Sequence, residues 1–152
     1  MAETEREQVH TSTLMRKLFK TKTLGGFLRN NETYLERETF RECLQKRCAE
    51  KHEIAEHIIE RAQIDRTYGH QLFNGTRNPS RDKVLQLAVG LGLDVEETQQ
   101  LLRAASKSPL YPRVRRDAIL IFALKEHWSM AGVQEALAQY ELTPLGWDSK
   151  NG

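Results

Sequence analysis

Long apolar runs are missing from this chain. No stretch approaches the roughly 18 consecutive apolar residues that a membrane span requires, and Met1–Gln8 is acidic rather than a basic stretch leading into an apolar one. A soluble, cytoplasmic protein is expected, with no membrane among its partners. Cysteine is scarce: Cys43 and Cys48 lie five apart in a strongly helical stretch, where their side chains point in different directions, so no disulfide framework is expected. Cys48 and His52 share helical ligand spacing and His57 is near, but no second CxxC or HxxxH completes a metal site. A Gly-rich phosphate loop, a nucleophile elbow and paired carboxylates are all absent, so neither an enzyme nor a cofactor is expected. Charge of one sign is lacking too. Lys and Arg number 23 against 21 Asp and Glu, a net of +2, and residues 39–105 hold ten of each. Non-specific affinity for nucleic acid comes mainly from cations displacing counterions, so binding to DNA would have to rely on a local basic surface and on dimerisation.

What is present is helical periodicity. The chain has 152 residues, 39% hydrophobic and 29% charged, enough to bury a core. Apolar residues recur at spacings of three and four, and no segment reads as a strand. Leu14, Met15, Leu18 and Phe19 mark a short amphipathic helix over 13–20, and Thr23 caps a second that ends at Asn30-Asn31. Thr39 with Glu42 has capping-box spacing before a helix to about Lys51. Helices follow over 53–62, 66–73 (capped by Asp65, stopped by Asn74-Gly75), 80–91 (capped by Ser80, broken by Gly92) and from Asp94, whose Glu97 repeats the capping signature. Pro109 and Pro112 bracket a linker, and helices over 113–127 and 130–140 close the chain.

That last hairpin repeats what precedes it at an offset of about 35 residues. Arg81-Asp82 matches Arg116-Asp117, and without a gap Leu85, Gln99, Leu102, Pro109 and Leu110 fall on Leu120, Gln134, Leu137, Pro144 and Leu145. Similarity between two unrelated amphipathic hairpins is the rival explanation. The shared Pro-Leu ending is harder to obtain from periodicity.

Three stretches then stand together: Ile58-Ile59-Glu60-Arg61-Ala62-Gln63-Ile64-Asp65, Gly75-Thr76-Arg77-Asn78-Pro79-Ser80, and Leu85-Gln86-Leu87-Ala88-Val89-Gly90-Leu91-Gly92-Leu93. From Ile58 to Asp94 the chain resembles the Xre family of helix-turn-helix regulators, the lambda-repressor type, whose connector (Gly-x-Arg-x-Pro-Ser) and close (Leu-x-Leu-Ala-x-Ala-Leu-Gly-Val) are nearly unchanged here. The resemblance implies an all-α fold: a lambda-repressor-like five-helix core over 39–105, with a helical extension over 1–38 and a C-terminal helical hairpin over 106–152. It implies sequence-specific binding of double-stranded DNA in transcription regulation, with 66–73 as the recognition helix. Two helices joined by so short a turn are expected to cross steeply, leaving the second free to enter the major groove. Its outer face would be Arg66, Thr67, His70, Gln71 and Asn74, side chains able to reach guanine, adenine and the thymine methyl. Arg77, Asn78, Arg81 and Lys83 beyond it would hold phosphates. Regulators of this family usually act as symmetric dimers, so a homodimer is expected, with the helices beyond Ser106 as its natural surface.

Three positions depart from the family pattern. Ile59 stands for the usual alanine, Gln63 for the turn glycine and Gly69 for a Val or Ile inside the recognition helix. A glycine there costs about 1 kcal/mol relative to alanine, so Ile59 is expected to fill the space that Gly69 vacates. Asp65 at the tip of that helix, and Ala55 in place of a phosphate-binding glutamine, leave a second function open. In it, the scaffold is a protein-interaction or signalling adaptor that docks a partner through Tyr68, His70 and Phe73 or through the C-terminal helices. Arg113, Arg115 and Arg116 gather at a predicted helix start, either as an anion site or as a solvated turn with Arg116 paired to Asp117. Trp128 and Trp147 are expected as core and lid.

Overall fold

The computed structural model describes residues 11–31 and 38–147, and every regular element among them is a helix. His10 and the acidic start Met1–Gln8 lie outside the described residues. The chain divides into two compact units, Met1–Arg37 and Glu38–Gly152. In the first, α1 (Thr11–Lys20) begins two residues before the expected start, and α2 (Leu24–Asn30) is capped by Thr23, whose hydroxyl accepts from the Gly26 amide.

The second unit holds α3 (Phe40–Glu50), α4 (Ala55–Arg61), α5 (Arg66–Asn74), α6 (Arg81–Leu91), α7 (Val95–Ala104), α8 (Arg115–Lys125) and α9 (Met130–Gln139). Every helix start in this unit that the sequence marks with a cap uses it: Thr39 accepts from Glu42 N, Asp65 from Tyr68 N, Ser80 from Lys83 N, and Asp94 closes a full capping box with Glu97. Helix α4 is shorter than its periodicity suggests, because Ile54 at its cap has no oxygen to offer the first amides. Gly75 ends α5 at φ +84°. Five other helices end on residues that are not glycine, His52, Gln63, Ser106, His127 and Glu141, each at φ of 55–58°. Each makes the same paired backbone closure, as in Gln63 N to Glu60 O and Ile64 N to Ile59 O.

One contiguous core runs through this unit, with Leu44, Ile58, Leu72, Leu85, Leu87, Leu101, Leu120 and Leu137 fully enclosed. Helix α4 packs on α5 and α6, α3 spans α5 and α7, and the α8–α9 pair lies against α6 and α7. Gly90 sets the α4–α6 approach: a Cβ there would meet Ile58 O at 2.8 Å and Ala62 N at 3.0 Å. The expected exchange of bulk is present between α4 and α5, where a Cβ on Gly69 would stand 2.6 Å from Cγ2 of the buried Ile59.

The 35-residue repeat is reproduced bond for bond. Arg81 donates Nε to Ser108 O and Nη2 to Pro109 O, and Arg116 donates Nε to Thr143 O and Nη2 to Pro144 O. Gln99 brackets Leu110 with both amide atoms, as Gln134 brackets Leu145. Each arginine then crosses to the other repeat: Arg81 forks onto Asp117 at 2.9 and 3.1 Å, and Arg116 forks onto Asp82 at 2.9 and 3.0 Å. Tyr111 N and Gly146 N complete the two carboxylates, each at 3.0 Å. The two hairpins are thus joined reciprocally, residue i to j and j to i, the arrangement of a two-fold interface built into one chain. Arg116 pairs with Asp82 rather than with its neighbour Asp117, because the fork needs a carboxylate facing it across the hairpins.

Cys43 and Cys48 are free and buried in the core edge of α3. Burial pushes both thiols from 9.0 up to about 11, with Glu38 adding at Cys43 and Glu53 at Cys48. A thiol whose folded pKa exceeds its unfolded one keeps its full contribution below pH 9 and loses it as pH rises towards 11. The unfolding free energy from urea melts is therefore expected to fall between pH 9 and 11, by up to about 1.4 kcal/mol per thiol per pH unit, with part of the fall removed in Cys48→Ala.

Candidate nucleic-acid interface

Helix α5 has a buried edge and an open one. Gly69 and Leu72 are enclosed, while Arg66, Thr67, His70 and Asn74 are exposed and Gln71 is half-buried. Four of the five expected base-reading residues thus share solvent. Arg66 has 77% of its side chain accessible, and it pairs with Glu56 of α4 at 3.0 Å. A surface pair of this kind contributes about 0–1 kcal/mol and yields readily to a stronger anion. Asn74 commits its oxygen to Thr76 N at 2.9 Å, which builds the turn into Gly75 and leaves its amide as the outward donor.

The residues beyond α5 divide into two groups. Arg77 and Asn78 are exposed. Arg77 donates Nε to Gln71 Oε1 at 3.1 Å and holds its guanidinium 4.6 Å from the centre of the Tyr68 ring. Gln71 and Arg77, expected as independent reader and clamp, therefore form one unit, fixed by a ring that the sequence did not single out for this task.

Arg81 and Lys83 do not take the expected place. Arg81 spends its guanidinium on Asp117 and on the carbonyls of Ser108 and Pro109. Lys83 is buried, donating to Gln86 Oε1 at 3.0 Å with its ammonium 5.6 Å from the Tyr68 ring. Both sit on the inward side of α6, because the helix turns them towards the second hairpin and the core. Two residues missed from the sequence border the open side instead: Arg41 and Gln45 of α3 line a groove with Asn74, Gly75, Arg77 and Asn78. Their signal was the Thr39 capping box, which starts α3 where its first turn faces that groove.

No known protein family, curated protein or solved structure matches the chain. The function therefore rests on the geometry of this surface.

Elsewhere the expected anion cluster separates. Helix α8 begins at Arg115, Arg113 and Arg115 are exposed, and Arg116 turns inward to Asp82. No group of three His, Cys, Asp or Glu among the described residues is arranged to hold a metal. Cys48 is buried in α3, whereas His52 lies past its end in a left-handed turn, so the helical spacing between them is not kept. Trp128 is half-buried against Phe122, their ring centres 5.5 Å apart, and Trp147 is about half exposed.

Proposed function

We propose that this protein is a sequence-specific DNA-binding regulator of the lambda-repressor (Xre) type, with α3–α7 as the five-helix core, α4 and α5 as the helix-turn-helix and α5 in the major groove. The observation that carries the reading is the seating of α5: glycine against Ile59 brings its buried edge close to α4 and turns Arg66, Thr67, His70 and Asn74 to solvent together. Bidentate Arg–guanine and amide–adenine contacts suit that set. Arg77, Asn78 and Arg41 beside it supply phosphate donors. Residues 53–75 carry Glu53, Glu56, Glu60 and Asp65 against Arg61 and Arg66, so affinity comes from hydrogen-bonded readout rather than from bulk charge.

The test is selection from random duplexes, followed by titration of variants at two salt concentrations. Gln71→Ala is expected to cost about 1–3 kcal/mol on the selected site and to relax one or two base pairs. Arg77→Ala should lower the salt slope by about one. It should also loosen the Gln71 base pair, since it removes the donor that orients that amide. Asp65→Ser keeps a cap oxygen for Tyr68 N and removes a charge from the backbone path, so it should tighten all duplexes alike. Selection that returns no preferred sequence at low salt overturns the proposal.

A second reading, docking of a protein partner through the C-terminal helices, has its own support in the repeat. Leu87 and Leu93 are sealed under neighbouring helices, but their counterparts Phe122 and Trp128 stay apolar on an open face, with Phe122 50% exposed. A homodimer or another protein would cover that face. Empty DNA selection would bring this reading forward.

A further inference from the structure

Residues 38–147 hold fifteen Lys and Arg against fifteen Asp and Glu, whereas the stretch between Glu7 and Glu32 holds Arg16, Lys17, Lys20, Lys22 and Arg29 with no acidic residue. The same short segment carries Met15, Leu18, Phe19, Leu24 and Leu28 exposed, Phe19 to 79% and Leu24 to 68%. On α1 the two sets separate cleanly. At about 100° per residue, Leu14, Met15, Leu18 and Phe19 occupy one arc of about 140°, and Arg16, Lys17 and Lys20 occupy the opposite side. Ten residues of helix are marginal alone in water, and large apolar side chains left in solvent gain nothing for the fold.

The partner must offer negative charge and an apolar layer at once, in that order from the surface. A nucleic acid would engage the cations and leave Phe19 and Leu24 wet. The interface of an anionic bilayer offers both, with headgroup phosphates above and the acyl boundary below. We propose that residues 11–31 form a basic amphipathic anchor that lies in the surface of an anionic lipid bilayer, apolar faces inward. No helix among the described residues is long and apolar enough to cross a membrane, so the anchor would lie on the surface. The inference stands independently of DNA binding, since it uses neither α5 nor its neighbours.

Co-sedimentation of the full chain with phosphatidylglycerol–phosphatidylcholine vesicles and with pure phosphatidylcholine vesicles tests it, with the melt of each variant as a folding control. Binding is expected to the anionic vesicles only and to weaken with salt. Lys20→Gln and Lys22→Gln should each weaken it about fivefold, the effect of about 1 kcal/mol per surface cation. Phe19→Ala should weaken it at least as much. Absence of binding to anionic vesicles, or equal binding to both vesicle types, overturns the proposal. So does Phe19→Ala binding as wild type: that result means electrostatic adherence alone. If the lysine variants instead weaken duplex binding and leave vesicle binding unchanged, the segment is a nucleic-acid arm.

Discussion

Asp117→Ala is expected to cost about 3–5 kcal/mol, the range for removing one partner of a buried ion pair. Asp117 is 3% exposed and takes three hydrogen bonds, two from the Arg81 fork and one from Tyr111 N. Alanine would leave a guanidinium with only its two carbonyl partners and a backbone amide with none. Because the repeat is reciprocal, Asp82→Ala should cost about as much, for it takes the carboxylate from the Arg116 fork and from Gly146 N. Removing both partners should be milder than the two single losses combined, since Arg81→Ala leaves no buried charge behind in Asp117→Ala. Denaturant melts of Arg81→Ala, Asp117→Ala and the double variant check this. A cost below about 1 kcal/mol for Asp117→Ala would mean that water replaces the cross-tie and that the hairpins are held by apolar packing alone.

The second large effect lies at the α4–α5 contact. Ile59→Ala should cost about 2–5 kcal/mol, because Gly69 has no side chain with which to fill the cavity. Gly69→Val should cost about 1–3 kcal/mol, since its Cβ alone would fall 2.6–2.9 Å from three carbons of Ile59. Together the two changes restore the volume with the bulk on the other helix, and the double variant should recover much of the loss. Strict additivity in equilibrium unfolding would show that the two positions do not share one space.

The all-α class, the helix order and the caps were legible because they depend on near neighbours. Asp65 to Tyr68 N, Ser80 to Lys83 N and Asp94 to Glu97 are bonds across three residues, and the side chain that makes each is visible in the sequence. The ends of these helices were legible to within about two residues, but the left-handed closures at His52, Gln63 and His127 were not, since the closing bonds are between backbone atoms and need no particular side chain. The exchange of bulk between Ile59 and Gly69 could be read because both departures occur in one short motif. Of the nine residues expected to touch DNA, Arg81 and Lys83 are engaged within the protein instead. The partners that remove Arg81 lie 27–36 residues away, beyond the reach of local spacing. A signal existed all the same: an Arg-Asp pair recurring after 35 residues carries two opposite charges that can satisfy one another only by crossing.

The crossed arginines also dictate when the second unit can complete itself during synthesis. Asp82 receives its hydrogen bonds from Arg116 and from Gly146 N, the latter 64 residues further along. A ribosome that has just delivered α7 has therefore made a carboxylate destined for burial whose cation has not yet been translated. Until Arg116 emerges, Asp82 can be enclosed only at a desolvation cost with no cation to offset it, so that carboxylate stays in water and α6 stays uncovered on that side. The unit should close late and as a whole, once residue 146 is available, rather than helix by helix as they leave the tunnel.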